Sequence, residues 1–527
     1  MFKKLSSIFK YIQLKSINDS KKNNKKSIKI PTSLEETKTK LKGIFSDCGE
    51  FVMKEVILGN ELKVKIIVAF IDGLTNEESV DSNILKPIMI ESRKVFLDNE
   101  NKDLLSIIKK HILNSCIVDE ERDFNTSVNM ILDGNTVLFI DGEDTSLVIE
   151  AKAWEARGIE KSEVENVVRG PREAFTEQIS VNVSQIRRRI KNPDLKTEYM
   201  KIGEKTNTDI CICYIKGVVN KDILKTVKRR LERIKTDSIL ESGYLEEFIE
   251  DGPFSLFATL GNSEKPDIIA AKLLEGRVAI LTDGTPVCLT APYLFIESLH
   301  VSEDYYSRYF FSSVSRIFRV LGLLISAYAP AIYVALITFH RDIIPFELLL
   351  TMAGAKEGVP FSPLVEALIM LIAFELLKEA GVRMPRPVGQ AVSIVGALVL
   401  GEAAIQAGVA SPPMVITIAA TAIASFTVQP LQGTIPIFRF FMLFAANILG
   451  FLGIMLVTVV ILIHMCSLRS FGVPYLYPFS PLTGSDLKDT ILRAPIWAMF
   501  TRPKALSWDG NKNTKYKMNI DYRKKED

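Results

Sequence analysis

Five long apolar segments crowd the C-terminal half of this chain, at 317–339, 361–377, 388–410, 414–428 and 440–463. About 20 apolar residues are needed to cross a hydrocarbon core of roughly 30 Å. The first and last segments reach that length with at most one charge, Arg319. The second contains Glu366 and Glu375, the third contains Glu402, and the fourth is short and stops at Gln429-Pro430. Such a chain reads as an integral membrane protein, with an all-α polytopic membrane domain over 301–466. Residues 1–300 hold most of the charge and read as a water-soluble head. Residues 467–527 follow as a cytoplasmic C-terminal segment.

Positive charges beside the spans set orientation. Arg308, Arg316 and Arg319 precede the first segment, Lys378, Arg383 and Arg386 follow the second, and Arg469, Lys488, Arg493, Arg502 and Lys504 follow the last. All belong inside, so the number of crossings is even. Five full spans are odd. The reading adopted is four spans plus one re-entrant or interfacial segment, placed in the broken stretch 411–436. The start of the chain is basic but has no continuous apolar run, so it is not a signal peptide and the head stays cytoplasmic.

Residues 1–35 form a basic tail, with nine lysines and one acid in the first 30 residues. It attracts anionic headgroups or simply keeps the chain soluble, and the sequence leaves both readings open. The rest of the head alternates strand and helix patterns, the α/β class. Two grammatical units recur in it. Residues 67–76 (IVAFIDGLTN) match 211–220 (CICYIKGVVN) at an offset of 144, and 134–142 (GNTVLFIDG) match 276–284 (GRVAILTDG) at 142. The pattern predicts two similar α/β subdomains, 36–150 and 151–300. Against it stands the commonness of strand–Asp-Gly–strand hairpins. Cys211 and Cys213 fall on one face of a strand and read as buried thiols. No zinc spacing, phosphate loop or catalytic triad occurs, so the chain is not read as an enzyme, and no metal, cofactor or nucleic-acid partner is expected.

Three membrane features carry chemistry. A charge at mid-bilayer costs on the order of 3 kcal/mol, so Glu366 and Glu402 face either a cation path or gating contact, or a local partner that holds helices together. Ser393, Ala397 and Gly401 recur every four residues and mark a close-packing helix. Thr417, Thr421 and Ser425 form a hydroxyl stripe that lines water or bonds its own helix. Glu402 with this stripe is the best pore-lining candidate. In the head, Arg169, Gly170, Pro171, Arg172, Glu173 and Glu177 sit in RGPREAFTE, followed by Arg187, Arg188 and Arg189. They form an anion-binding or inter-subunit surface, or a solvated helix face beside a turn.

RGPREAFTE joins a series of short strings: EDYY at 303–306, PAIYVAL at 330–336, ELLKEAGVRMP at 375–385, IVGALVLGEAAIQAG at 394–408, SFGVPYLYP at 470–478 and RAPIW at 493–497. In this order they resemble the A subunit of the GerA-type spore germinant receptors, and also the related stage V sporulation protein AF. The resemblance implies a multi-pass protein of the spore inner membrane, with head and C-terminus in the spore core. It implies partnership with a permease-like B subunit and a lipoprotein C subunit, self-association into a homo-oligomer, and a germinant-gated cation channel for monovalent ions. A non-conducting scaffold that couples a sensor to other machinery is the rival reading.

Overall fold

The computed structural model describes residues 28–58, 64–91, 105, 108–109, 113, 117–152, 165, 167–384, 399–499 and 501–506. The chain divides into two compact units. One spans the head, with residues 260–292 and 496–527. The other spans 250–259 and 293–495.

In the head, the first repeat holds strands β1 (Phe51–Leu58), β2 (Val64–Ile71), β3 (Val118–Glu121), β4 (Thr136–Ile140) and β5 (Ser146–Ile149). The second holds β6 (Leu195–Ile202), β7 (Thr208–Ile215), β8 (Gly261–Ser263), β9 (Val278–Thr282) and β10 (Cys288–Ala291). Their sheets share one order, β1-β2-β4-β5-β3 and β6-β7-β9-β10-β8, every pairing antiparallel. The duplication expected from the two sequence offsets is therefore a duplication of topology. Continuous apolar strands follow from burial on both faces. In β2, Ile66, Val68 and Phe70 enter one core while Ile67, Ala69 and Ile71 enter the other.

Helices α1 (Leu34–Ile44) and α2 (Phe124–Leu132) of the first repeat correspond to α3 (Ile179–Arg189) and α6 (Pro266–Glu275) of the second. Helices α4 (Lys221–Leu231) and α5 (Ser242–Ile249) lie between α3 and α6 in the chain. The Asp-Gly turns recur because each receives a helix N-terminus. The Asp141 carboxylate accepts the Leu34 N–H at 3.1 Å, and Asp283 accepts the Ile179 N–H at 3.1 Å. Gly142 and Gly284 donate their N–H groups to Thr32 and Glu177 carbonyls at 2.9 and 2.8 Å. A carboxylate at an orphan helix N–H offsets the helix dipole, and glycine alone enters the left-handed turn at no cost (φ +88° and +86°). The helix pattern read at 104–116 lies mostly outside the described residues.

The second unit is helical. It contains α7 (Tyr309–Thr338), α8 (Phe346–Lys356), α9 (Pro363–Arg383), α10 (Pro412–Ser425), α11 (Thr434–Leu449) and α12 (Phe451–Ser467). Among the described residues, α7 alone is both long and apolar enough to cross a bilayer. Helices α10, α11 and α12 are apolar but shorter, at 14, 16 and 17 residues. Ala331, Val334, Met370, Met414, Ile418, Met442 and Ala446 fill their common core. Large apolar side chains face outward from α10, α11 and α12: Ile416, Ile423, Ile448 and Val460 are each more than 60% exposed.

The apolar run 440–463 is not one helix. At Gly450 (φ +60°) α11 ends and α12 folds back along it, so that a Cβ on Gly453 would strike the Ala445 carbonyl. The sequence is apolar on both sides of the turn, which hides the break from a reading based on hydropathy. Of the stretch 411–436, Pro412–Ser425 is helical, Gln429–Leu431 is a single 3-10 turn, and Thr434 begins α11.

Candidate functional site

The most costly groups in the helical unit are its buried ionisable side chains, and each is positioned by a local backbone need. Pro330 lies inside α7 and has no N–H for the Ser326 carbonyl one turn before it. Arg439 of α11, 2% exposed, supplies the missing donor. Its Nε reaches the Ser326 carbonyl at 2.8 Å. Its Nη1 lies 3.6 Å from Glu375 of α9, and Glu375 also pairs with Lys378 at 2.5 Å. One guanidinium thus joins three helices at the point where α7 is weakest. Sequence reading passed over Arg439 because it stands one residue before the apolar run. An arginine between two apolar segments, beside Pro436, was the available signal.

Glu366, 1% exposed, stands in the first turn of α9 and serves the start of α10. Its Oε2 accepts the Ser411 N–H at 3.1 Å and the Ser411 hydroxyl at 2.9 Å, while Oε1 lies 3.2 Å from Lys356 Nζ. A carboxylate at a helix N-terminus offsets the helix dipole, and the ammonium keeps the buried charge from standing unpaired. Here Glu366 has local partners.

The other expected residues are placed as follows. Thr417 donates to the Pro413 carbonyl at 2.8 Å, Thr421 to the Thr417 carbonyl at 2.7 Å and Ser425 to the Ala422 carbonyl at 2.7 Å, so the stripe bonds its own helix. Thr421 is fully buried, whereas Glu402 is exposed on the helical stretch 399–406 and accepts a bond from Gln406 at 3.2 Å. The two do not share an exposed surface within one chain. A Cβ added to Gly401 would sit in ordinary contact with Val415 of α10, 3.7 Å away. Ser393 and Ala397 lie outside the described residues.

In the head, RGPREAFTE runs into α3 and is clamped there. The Asn182 side chain accepts from the Thr176 N–H at 2.7 Å and donates to its carbonyl at 2.6 Å, and Gln185 donates to the Ala174 carbonyl at 3.2 Å. Ala174 and Phe175 are buried, while Arg169, Gly170, Pro171, Arg172 and Glu177 are exposed. The three arginines divide. Arg187 turns inward to Glu50 of the first repeat (Nε–Oε1 2.8 Å), and Arg188 and Arg189 both pair with Glu173 at 2.5 and 2.6 Å. Burial pushes the Glu173 carboxyl up, but its bonds to Arg189 and Arg188 outweigh this and hold it below the usual range. The motif therefore fastens α3 to its own loop, and Arg187 fastens one repeat to the other.

Comparison with known proteins places this architecture. The family model for the Bacillus/Clostridium GerA spore germination protein matches residues 39–505. The chain belongs to the GerA spore germination family. It is 43% identical to spore germination protein KA of Bacillus subtilis (strain 168) over 480 residues, covering 91% of this chain and 87% of that one. It is 42% identical to the membrane protein YfkQ of the same organism, covering 92% and 94%. Spore germination protein GerLA of Bacillus cereus is 35% identical, with 91% and 97% covered. Among solved structures, the N-terminal domain of the A subunit of the Bacillus megaterium spore germinant receptor GerK3 is 32% identical and aligns with a TM-score of 0.41. That alignment covers 51% of this chain and 99% of that domain.

Proposed function

We propose that this chain is the A subunit of a spore germinant receptor. It sits in the spore inner membrane with head and C-terminus in the spore core, beside a permease-like B subunit and a lipoprotein C subunit. There it assembles with copies of itself into a germinant-gated channel for monovalent cations. The observation that supports this best is Glu402, a carboxylate exposed on an apolar helical unit. Lipid does not tolerate a bare carboxylate, whereas water or a second copy does. The bare apolar faces of α10, α11 and α12 fit lipid or a further copy.

The test is conduction. The receptor complex, reconstituted in liposomes loaded with potassium, releases it when germinant is added, and Glu402→Leu changes the release without changing assembly. No release from an assembled complex removes the channel reading and leaves a scaffold that couples a sensor to other machinery. The internal partners of Glu366, Thr417, Thr421 and Ser425 favour that second reading.

A further inference from the structure

Where α7 begins, five charged side chains meet. Asp304 accepts from Arg316 Nε at 3.0 Å and from Arg319 Nη1 at 2.9 Å. Arg316 Nη1 donates to Asp489 at 2.8 Å and to the Thr490 carbonyl at 2.8 Å. The Tyr305 hydroxyl donates to the other Asp489 oxygen at 2.8 Å, and Arg493 Nη1 donates to the Ser307 carbonyl at 3.0 Å. The guanidiniums of Arg316 and Arg493 lie 5.6 and 5.4 Å from the centre of the Tyr305 ring.

Two features of this cluster do not balance. Three guanidiniums face two carboxylates. The one imidazole, His300, is half-buried and meets the Thr490 carbonyl at 3.0 Å; desolvation and the Arg316 charge push it below its ordinary value, so it favours the neutral form and leaves the imbalance as it stands. Secondly, Arg316 and Arg493 are 1% and 4% exposed, yet Arg316 Nη2 and Arg493 Nε have no acceptor. A buried guanidinium N–H without an acceptor is costly. Water fills the bond but leaves the charge. An oxyanion fills both, and the guanidinium fork matches phosphate oxygens.

We propose that Arg316 and Arg493 hold an oxyanion of the phosphate class, either the headgroup of an anionic phospholipid or free phosphate. The neighbourhood suits a headgroup: Arg308 is exposed, and Phe310 and Phe311 beside it are 69% and 67% exposed. Basic and aromatic residues at a helix start are the usual anchors at headgroup depth.

The test uses the purified full chain in nanodiscs of phosphatidylcholine, or of phosphatidylcholine with phosphatidylglycerol, and inorganic phosphate as a second arm. It is independent of ion conduction, so its outcome and that of the efflux assay are separate. The expected result is a higher thermal midpoint with phosphatidylglycerol. Arg493→Lys, which keeps the charge and loses the Nε–H, should abolish most of the gain, and Arg383→Gln, at an exposed site elsewhere, should retain it. An equal gain from inorganic phosphate in phosphatidylcholine identifies free anion as the source, and no gain from it identifies the headgroup. For wild type, native mass spectrometry reads bound phospholipid or phosphate directly, whatever the variant does to folding. No gain in either arm with no bound phosphorus, or a gain that Arg493→Lys leaves intact, overturns the proposal.

Discussion

Arg439 and Pro330 are a matched pair, and that match can be measured. Arg439→Ala removes the Nε donor from the Ser326 carbonyl, which Pro330 denies its helical partner. A buried carbonyl left bare costs about 1–3 kcal/mol. Losing the guanidinium also leaves Glu375 with Lys378 alone. Because Glu375 is 25% exposed and the Arg439 contact is long at 3.6 Å, that part adds no more than about 1 kcal/mol. The single variant should therefore lose about 1–4 kcal/mol, read as the free energy of unfolding in a fixed detergent. Pro330→Ala returns an N–H to the Ser326 carbonyl. In that background Arg439→Ala should cost less, by a coupling of about 1 kcal/mol in a double-mutant cycle. Equal costs in the two backgrounds would refute the idea that Arg439 substitutes for the missing helical bond.

The head offers a symmetric check on its duplicated caps. Asp141→Ala and Asp283→Ala should each weaken the helix they cap, α1 or α3, by about 1 kcal/mol, seen as faster amide exchange in that helix and not in the other. Asp304 gives a pH dependence. Burial raises its carboxyl, but the bonds and charges of Arg319 and Arg316 outweigh this and hold it below the ordinary value. A depressed folded pKa gives stability that is present above the unfolded value, near 4, and lost as pH falls through the folded one. The melting temperature of the full chain should fall on that acid limb, and Asp304→Asn should flatten this part of the curve.

Much of the head was legible because its repeats share chemistry as well as shape. Asp141-Gly142 and Asp283-Gly284 each turn a hairpin and cap a helix, so both residues recur and the offset shows. The first and last strands of each sheet carry no such constraint. They were invisible until pairing placed them, with short β8 (Gly261–Ser263) the extreme case. Among charged residues, Arg316 and Arg319 were legible as an orientation signal, but the Arg316 partners Asp489 and Thr490 lie more than 150 residues away and only the fold brings them together. Spacing identified Glu366 correctly as a residue that must be accounted for. It did not reveal that the account is a cap on α10, because Ser411 meets it across 45 residues.

The break at Gly450 bears on the count of crossings. Read as one helix, 440–463 makes the total odd, and the stretch 411–436 had to be re-entrant to restore the cytoplasmic C-terminus. Folded back at Gly450, the same run brings the chain home to the side from which α11 started, whatever depth the turn reaches. The four remaining apolar segments are then even by themselves, and the positive charges at Arg469 and Arg493 fall on the same side as Arg308 with no re-entrant piece at 411–436. Thiol labelling in oriented vesicles separates the two readings. In a Cys466→Ser background, Thr434→Cys and Ser467→Cys mark the outer ends of α11 and α12. The hairpin requires both to react with an impermeant reagent from one side of the vesicle. Reaction from opposite sides would mean that 440–463 crosses once, and would return the parity problem to the segment between Ser411 and Pro436.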